Sequence, residues 1–163
     1  MQKITHQQLL DWLKKEVKLS LGCTEPIAIA YAAAVAAKYL NAPILKITGN
    51  ISENLYKNAM GVTIPGTSYC GVTLAAAIGA IGGNADADLE VLKDITATQI
   101  TEAYIFNESG NVCLNAVDAT DFIFIDITLY SLSDQCRVVI QGSHTNVTEV
   151  YINNIKQILV RDL

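Results

Sequence analysis

Cys23 stands in the stretch LGCTEP, between a charged segment and the alanine-rich run IAIAYAAAVAAKYL. A thiol at the start of a helix faces unpaired backbone N–H groups and the positive end of the helix dipole, and both favour the thiolate. Such a thiolate can act as base, nucleophile or metal ligand. A cysteine is also a small apolar side chain that fills tight corners, and the local sequence leaves both roles open. GVTIPGT, residues 61 to 67, is a Gly/Pro-rich loop ahead of a helix, a place where backbone N–H groups can hold a carboxylate or phosphate. It lacks the Lys-Ser/Thr end of a P-loop, and an ordinary structural turn is the competing reading. GSHTN, residues 142 to 146, sets His144 at the end of a strand, where it could bind substrate, move protons or simply hydrogen-bond in a turn. His6 falls on the solvent side of the first helix.

The other cysteines, Cys70, Cys113 and Cys136, are irregularly spaced without a CxxC pair. They read as core residues rather than as ligands of zinc or iron. Asp86, Asp88, Glu90 and Asp94 resemble a metal cluster only in composition, because acids favour the first turns of a helix.

The elements that must position these groups follow from period and punctuation. Thr5 and Gln8 form a capping box for a helix that carries Leu9, Leu10, Leu13 and Val17 on one face and ends near Leu19. After the LGCTEP corner a second helix starts with Thr24 or Cys23 as N-cap, Glu25 complementing the dipole and Pro26 in the first turn. Its alanines allow close packing on every side, so it is expected at the centre. ILKITGNIS reads as a strand, ENLYKN as a short helix, and VTLAAAIGAI as a buried helix closed by Gly82 and Gly83. A long helix is expected from Asp86 or Asp88 to about Phe106. From Val112 onward LNAVDA, FIFIDITLYS, CRVVIQGS and TEVYINN read as a meander, and IKQILV as a last short helix or strand. Helices and strands are segregated, which predicts one α+β domain over residues 1–163, with alanine-rich buried helices against a mainly antiparallel sheet.

Composition narrows the function classes. A net charge of −5 without a Lys/Arg cluster argues against nucleic acid and against an anionic membrane surface. The N-terminus lacks the apolar core of a signal peptide, and the apolar part of residues 59 to 85 is too short to span a bilayer. A cytoplasmic protein with reduced thiols is expected. The chain is 51% hydrophobic and only 17% charged, which points to a surface covered by a partner or by a further part of the protein.

Taken in order, LGCTEPIAIAYAAAVAA, ENLYKNAMGVTIPGT, AAAIGAIGGNADADLEVLKD and GSHTN resemble the N-terminal part of the L-cysteine desulfidase family. Members of that family are iron-sulfur enzymes related to the serine dehydratase alpha-subunit type. The resemblance implies a carbon-sulfur lyase of amino-acid catabolism, in which L-cysteine undergoes β-elimination to sulfide, ammonia and pyruvate at a 4Fe-4S cluster. Cys23 corresponds to the family's α-proton base. Thr24, Glu25, Asn54, Lys57, Asn58, Gly66, Thr67, His144 and Asn146 fall in the matching motifs and are expected around the substrate. Family members are more than twice this length and carry their cluster ligands in the C-terminal half, so no metal ligand is assigned here. The expectation is therefore an N-terminal part of a longer or split enzyme, inactive alone, completed by a C-terminal half or partner chain that holds the cluster. Homo-oligomerisation stays open. L-serine dehydration and a non-catalytic amino-acid-binding or assembly module are the alternatives.

Overall fold

A computed structural model of the chain describes residues 5–17 and 22–159. Its elements are α1 (His6–Glu16), α2 (Thr24–Leu40), β1 (Lys46–Ser52), α3 (Glu53–Met60), α4 (Val72–Gly82), α5 (Ala97–Glu108), β2 (Val112–Val117), β3 (Phe124–Tyr130), β4 (Gln135–Gln141), β5 (Val147–Ile152) and β6 (Ile155–Lys156). The strands form one sheet in the order β2-β1-β3-β4-β5-β6. Every pairing is antiparallel except β1 with β2. The α+β class holds, with buried alanine-rich helices on a mainly antiparallel sheet.

Alternation along the strands decides which sheet face is covered. Ile47 and Ile51 of β1, Ile125, Ile127 and Leu129 of β3, and Val138 and Ile140 of β4 are buried. Asn50, Asp126 and Arg137 lie on the other face, where Arg137 donates from Nε and from an Nη to the two carboxylate oxygens of Asp126 at 2.8 and 2.7 Å. Helix α2 packs on β3 and β4, α4 packs on α2 and β2, and α5 packs on α4. Residues from Pro26 to Ala36 of α2 are all buried, so the helix is central, as its alanines predict.

Small residues make this packing possible. A Cβ built on Gly79 of α4 would lie 2.1 Å from the carbonyl oxygen of Ala30 in α2, so the two helices touch backbone to backbone. No side chain at position 79 fits without separating them.

Several expectations change. Thr5 and Gln8 do form the capping box of α1, but the helix ends at Glu16, and the expected end near Leu19 lies outside the described residues. Its apolar side chains are exposed, Trp12 by 58% and Val17 by 70%. The long helix expected from Asp86 or Asp88 starts only at Ala97. Asp88 has a left-handed φ of 48° and heads a single 3₁₀ turn, whereas Thr96 and Gln99 supply a complete capping box for α5. The acids at positions 86, 88, 90 and 94 thus precede the helix instead of filling its first turns.

The meander expectation holds for β3 to β6 and fails for β2. That strand pairs with β1 in parallel, Ile47 opposite Val112, because the helices between β1 and β2 return the chain in the same direction. IKQILV begins as the short strand β6, and its last residue lies outside the described residues.

The α2–α4 contact gives a stability prediction. Gly79→Ala should lower the urea unfolding free energy by about 1–3 kcal/mol. Gly61→Ala, where an added Cβ meets nothing within 4 Å, should change it by less than about 0.5 kcal/mol.

Candidate functional site

Cys23 is the N-cap of α2, in extended conformation and without a side-chain hydrogen bond to the helix. It is exposed, so it does not fill a corner. The next residues open the helix: Thr24 donates its hydroxyl to Glu25 Oε2 at 3.4 Å, and Pro26 is the first fully buried position. The thiol thus stands at the solvent end of a helix whose remainder is anchored in the core.

Two of the quoted motifs meet here. A Cβ on Gly22 would lie 3.0 Å from Pro65 Cγ, so the GCTEP corner packs on the GVTIPGT loop. Within that loop Thr67 donates its hydroxyl to Ile64 O at 2.9 Å and accepts from the Tyr69 N–H at 3.0 Å. An antiparallel bridge between Thr63 and Cys70 closes the same turn. The Thr67 hydroxyl therefore shapes the loop. Gly66 takes a left-handed φ of 82° with Ile95 beside it, a conformation that a side chain would strain.

GSHTN forms the turn between β4 and β5. Asn146 donates its amide to Gln141 O at 2.8 Å, and Gln141 donates its N–H to Asn146 O at 3.1 Å, which closes the turn. His144 rides on it, half-buried, with Nε2 buried and without a hydrogen-bond partner. Burial pushes the imidazole below its ordinary value, and the nearby Glu25 carboxylate partly opposes that shift.

ENLYKN stands apart in its chemistry. On α3, Leu55 and Ala59 are buried, whereas Asn54, Lys57 and Asn58 are exposed. Lys57 pairs with Glu53 of its own helix at 2.9 Å. Among the described residues no hydrogen bond joins these three side chains to Cys23, Glu25 or His144.

The remaining cysteines separate. Cys136 is buried on β4 and burial pushes its thiol up to about 12, whereas Cys70 and Cys113 are exposed, contrary to their expected place in the core. Cys113 escapes the core because it lies on β2 between Val112 and Leu114, on the strand face turned away from the helices. Among the described residues no three Cys, His, Asp or Glu side chains gather as a metal site. The thiols of this chain therefore do not fit a 4Fe-4S cluster, and no reaction step is derived through one.

Two concavities were not anticipated. One, of about 280 Å³, runs between α2 and β5, with Tyr31, Val35, Lys38 and Thr145 in its wall. Helical spacing of Tyr31, Val35 and Lys38 along an otherwise alanine-rich helix is the signal that marks it. The other lies between the Gly66–Tyr69 segment and the start of α5. Among the described residues no helix is long and apolar enough to cross a membrane.

No family model matches the chain, and no solved structure does. It is similar to curated bacterial proteins that bear the name UPF0597. With one from Klebsiella pneumoniae it shares 54% identity over 148 residues, which cover 91% of this chain and 35% of that protein. With one from Shewanella sediminis it shares 45% over 147 residues, covering 90% and 35%. With one from Photobacterium profundum it shares 44% over 146 residues, covering 90% and 34%. The chain thus spans about a third of the length of the curated relatives it matches, and their names specify no reaction.

Two measurements check the site chemistry. In the folded protein a thiol reagent at neutral pH should modify Cys23, Cys70 and Cys113 and spare Cys136 until the chain is unfolded; early modification of Cys136 would contradict its burial. For His144 the depressed folded value means that the unfolded chain takes up the proton first as pH falls below about 6.5. Stability should therefore drop on acidification from about pH 7 to about pH 5, and His144→Gln should make that drop smaller in thermal melts.

Proposed function

We propose that this chain is the N-terminal domain of an L-cysteine desulfidase-like lyase acting in the cytoplasm, with Cys23 as the base that removes the substrate's α-proton. The observation that carries the reading is the exposed thiol at the N-terminus of α2, without a capping hydrogen bond and beside the GVTIPGT loop. A base must reach the α-carbon of a bound amino acid, and Cys23 is accessible while the helix behind it is fixed. Expulsion of the β-thiol group then gives sulfide and an enamine that hydrolyses to pyruvate and ammonia.

The four motifs carry the resemblance to the desulfidases, and the length of the relatives leaves room for a C-terminal half. A 4Fe-4S cluster in that half, or in a partner chain, would supply the Lewis acid; this chain supplies the base and one wall of the substrate pocket.

Sulfide release from L-cysteine by the complete protein tests the reading. Cys23→Ala should lower kcat by about 10²–10⁴-fold. Retention of full activity by that variant would remove the base assignment, and faster turnover of L-serine than of L-cysteine would make the enzyme a dehydratase instead.

A further inference from the structure

The two outer strands of the sheet end it differently. At one edge β6 is two residues long, carries Lys156 and follows Asn153 and Asn154 in left-handed conformation, so it offers a neighbouring strand little to pair with. At the other edge β2 runs for six residues, VCLNAV, without a charge, a proline or a glycine. Ile47 of β1 donates its N–H to Asn111 O at 2.8 Å, with Ile47 opposite Val112 in the parallel register. Such a ladder turns the N–H and C=O groups of residues 113, 115 and 117 toward β1 and those of Val112, Leu114 and Ala116 outward. Among the described residues, no hydrogen bond beyond that ladder involves residues 112 to 117. The edge thus presents unpaired backbone donors and acceptors and lacks the charges, prolines and bulges that discourage pairing.

We propose that β2 pairs antiparallel with β2 of a second copy of this chain, about a two-fold axis perpendicular to the sheet, with Leu114 opposite Leu114. That register sets Val112 opposite Ala116 of the second copy, so every outward N–H and C=O of the strand finds a partner. A parallel pairing of the same edges needs the copies staggered, which leaves groups at the ends unmatched and breaks the two-fold symmetry of a closed dimer. No like charges meet within the paired strands, since β2 has none. On the helix-covered face only Val112, Leu114 and Ala116 line the seam, and on the open face Cys113 stands opposite Asn115 of the second copy. Main-chain hydrogen bonds supply the affinity in strand addition, and closing the edge removes a template for uncontrolled aggregation. The pairing is independent of the reaction proposed above.

Sedimentation equilibrium and non-reducing gel electrophoresis of the complete protein test the pairing. The wild type should sediment as a dimer. Ala116→Pro removes an outward N–H without touching the ladder to β1, and it should raise the dimer dissociation constant by about tenfold or more while the circular dichroism spectrum stays unchanged. Asn115→Cys should give a covalent dimer on mild oxidation, because directly opposed residues of a non-hydrogen-bonded antiparallel pair have Cα atoms about 4.5 Å apart, within disulfide reach. Adding Cys113→Ser to that variant should abolish the covalent dimer. If the wild type sediments as a monomer at every concentration, the edge does not take a second copy and the proposal is wrong. A dimer that a folded Ala116→Pro variant leaves intact, or that Asn115→Cys does not cross-link through Cys113, has its contact elsewhere and overturns the proposal as well. Should Ala116→Pro fail to fold, the cross-linking result decides alone.

Discussion

The contact between the backbones of α2 and α4 at Ala30 and Gly79 governs the arrangement of this molecule. With no Cβ at position 79, α2 can lie between α4 and strands β3 and β4, buried continuously from Pro26 to Ala36. A helix so enclosed cannot slide or tilt without opening the core, since close-packed interiors yield little to displacement. Its N-terminus is thereby fixed relative to both the GVTIPGT loop and the β4–β5 turn. Burial in the middle of α2 thus sets the geometry at its exposed end, where the Cys23 corner meets the GVTIPGT loop.

Much of this was legible in the sequence because it depends on local rules. The alanine run of α2 announces all-round burial, Cys23 is the N-cap that its position suggests, and alternation in FIFIDITLYS and CRVVIQGS marks β3 and β4. The misreadings occur where a local rule had a competitor. Asp86 and Asp88 look like the acidic start of a helix, but the capping box at Thr96 and Gln99 is stronger, and Asp88 is turned left-handed before it. The placement of β2 beside β1 was hidden because pairing across the sheet depends on where three intervening helices return the chain, which no window of residues reports.

Within the site, the candidate residues divide by what their side chains already do. Thr67 and Asn146 close their own turns, so their contribution is to hold the loops that surround the pocket. Lys57 is engaged by Glu53 on α3. The Cys23 side chain makes no capping hydrogen bond at the start of α2, and His144 Nε2 has no hydrogen bond, so neither group is used internally by the fold.

Under the proposed reading, part of the reaction lies outside this chain. An α-carbon proton is too weakly acidic for a thiolate alone, and its removal requires positive charge that stabilises the developing carbanion. Among the described residues, Lys38 pairs with Asp86, Lys57 with Glu53 and Arg137 with Asp126. The proposed base therefore calls for an electrophile on the far side of the substrate. The matched segment covers 35% of the Klebsiella pneumoniae relative, and under the proposed reading the electrophile belongs to the remainder of such a protein.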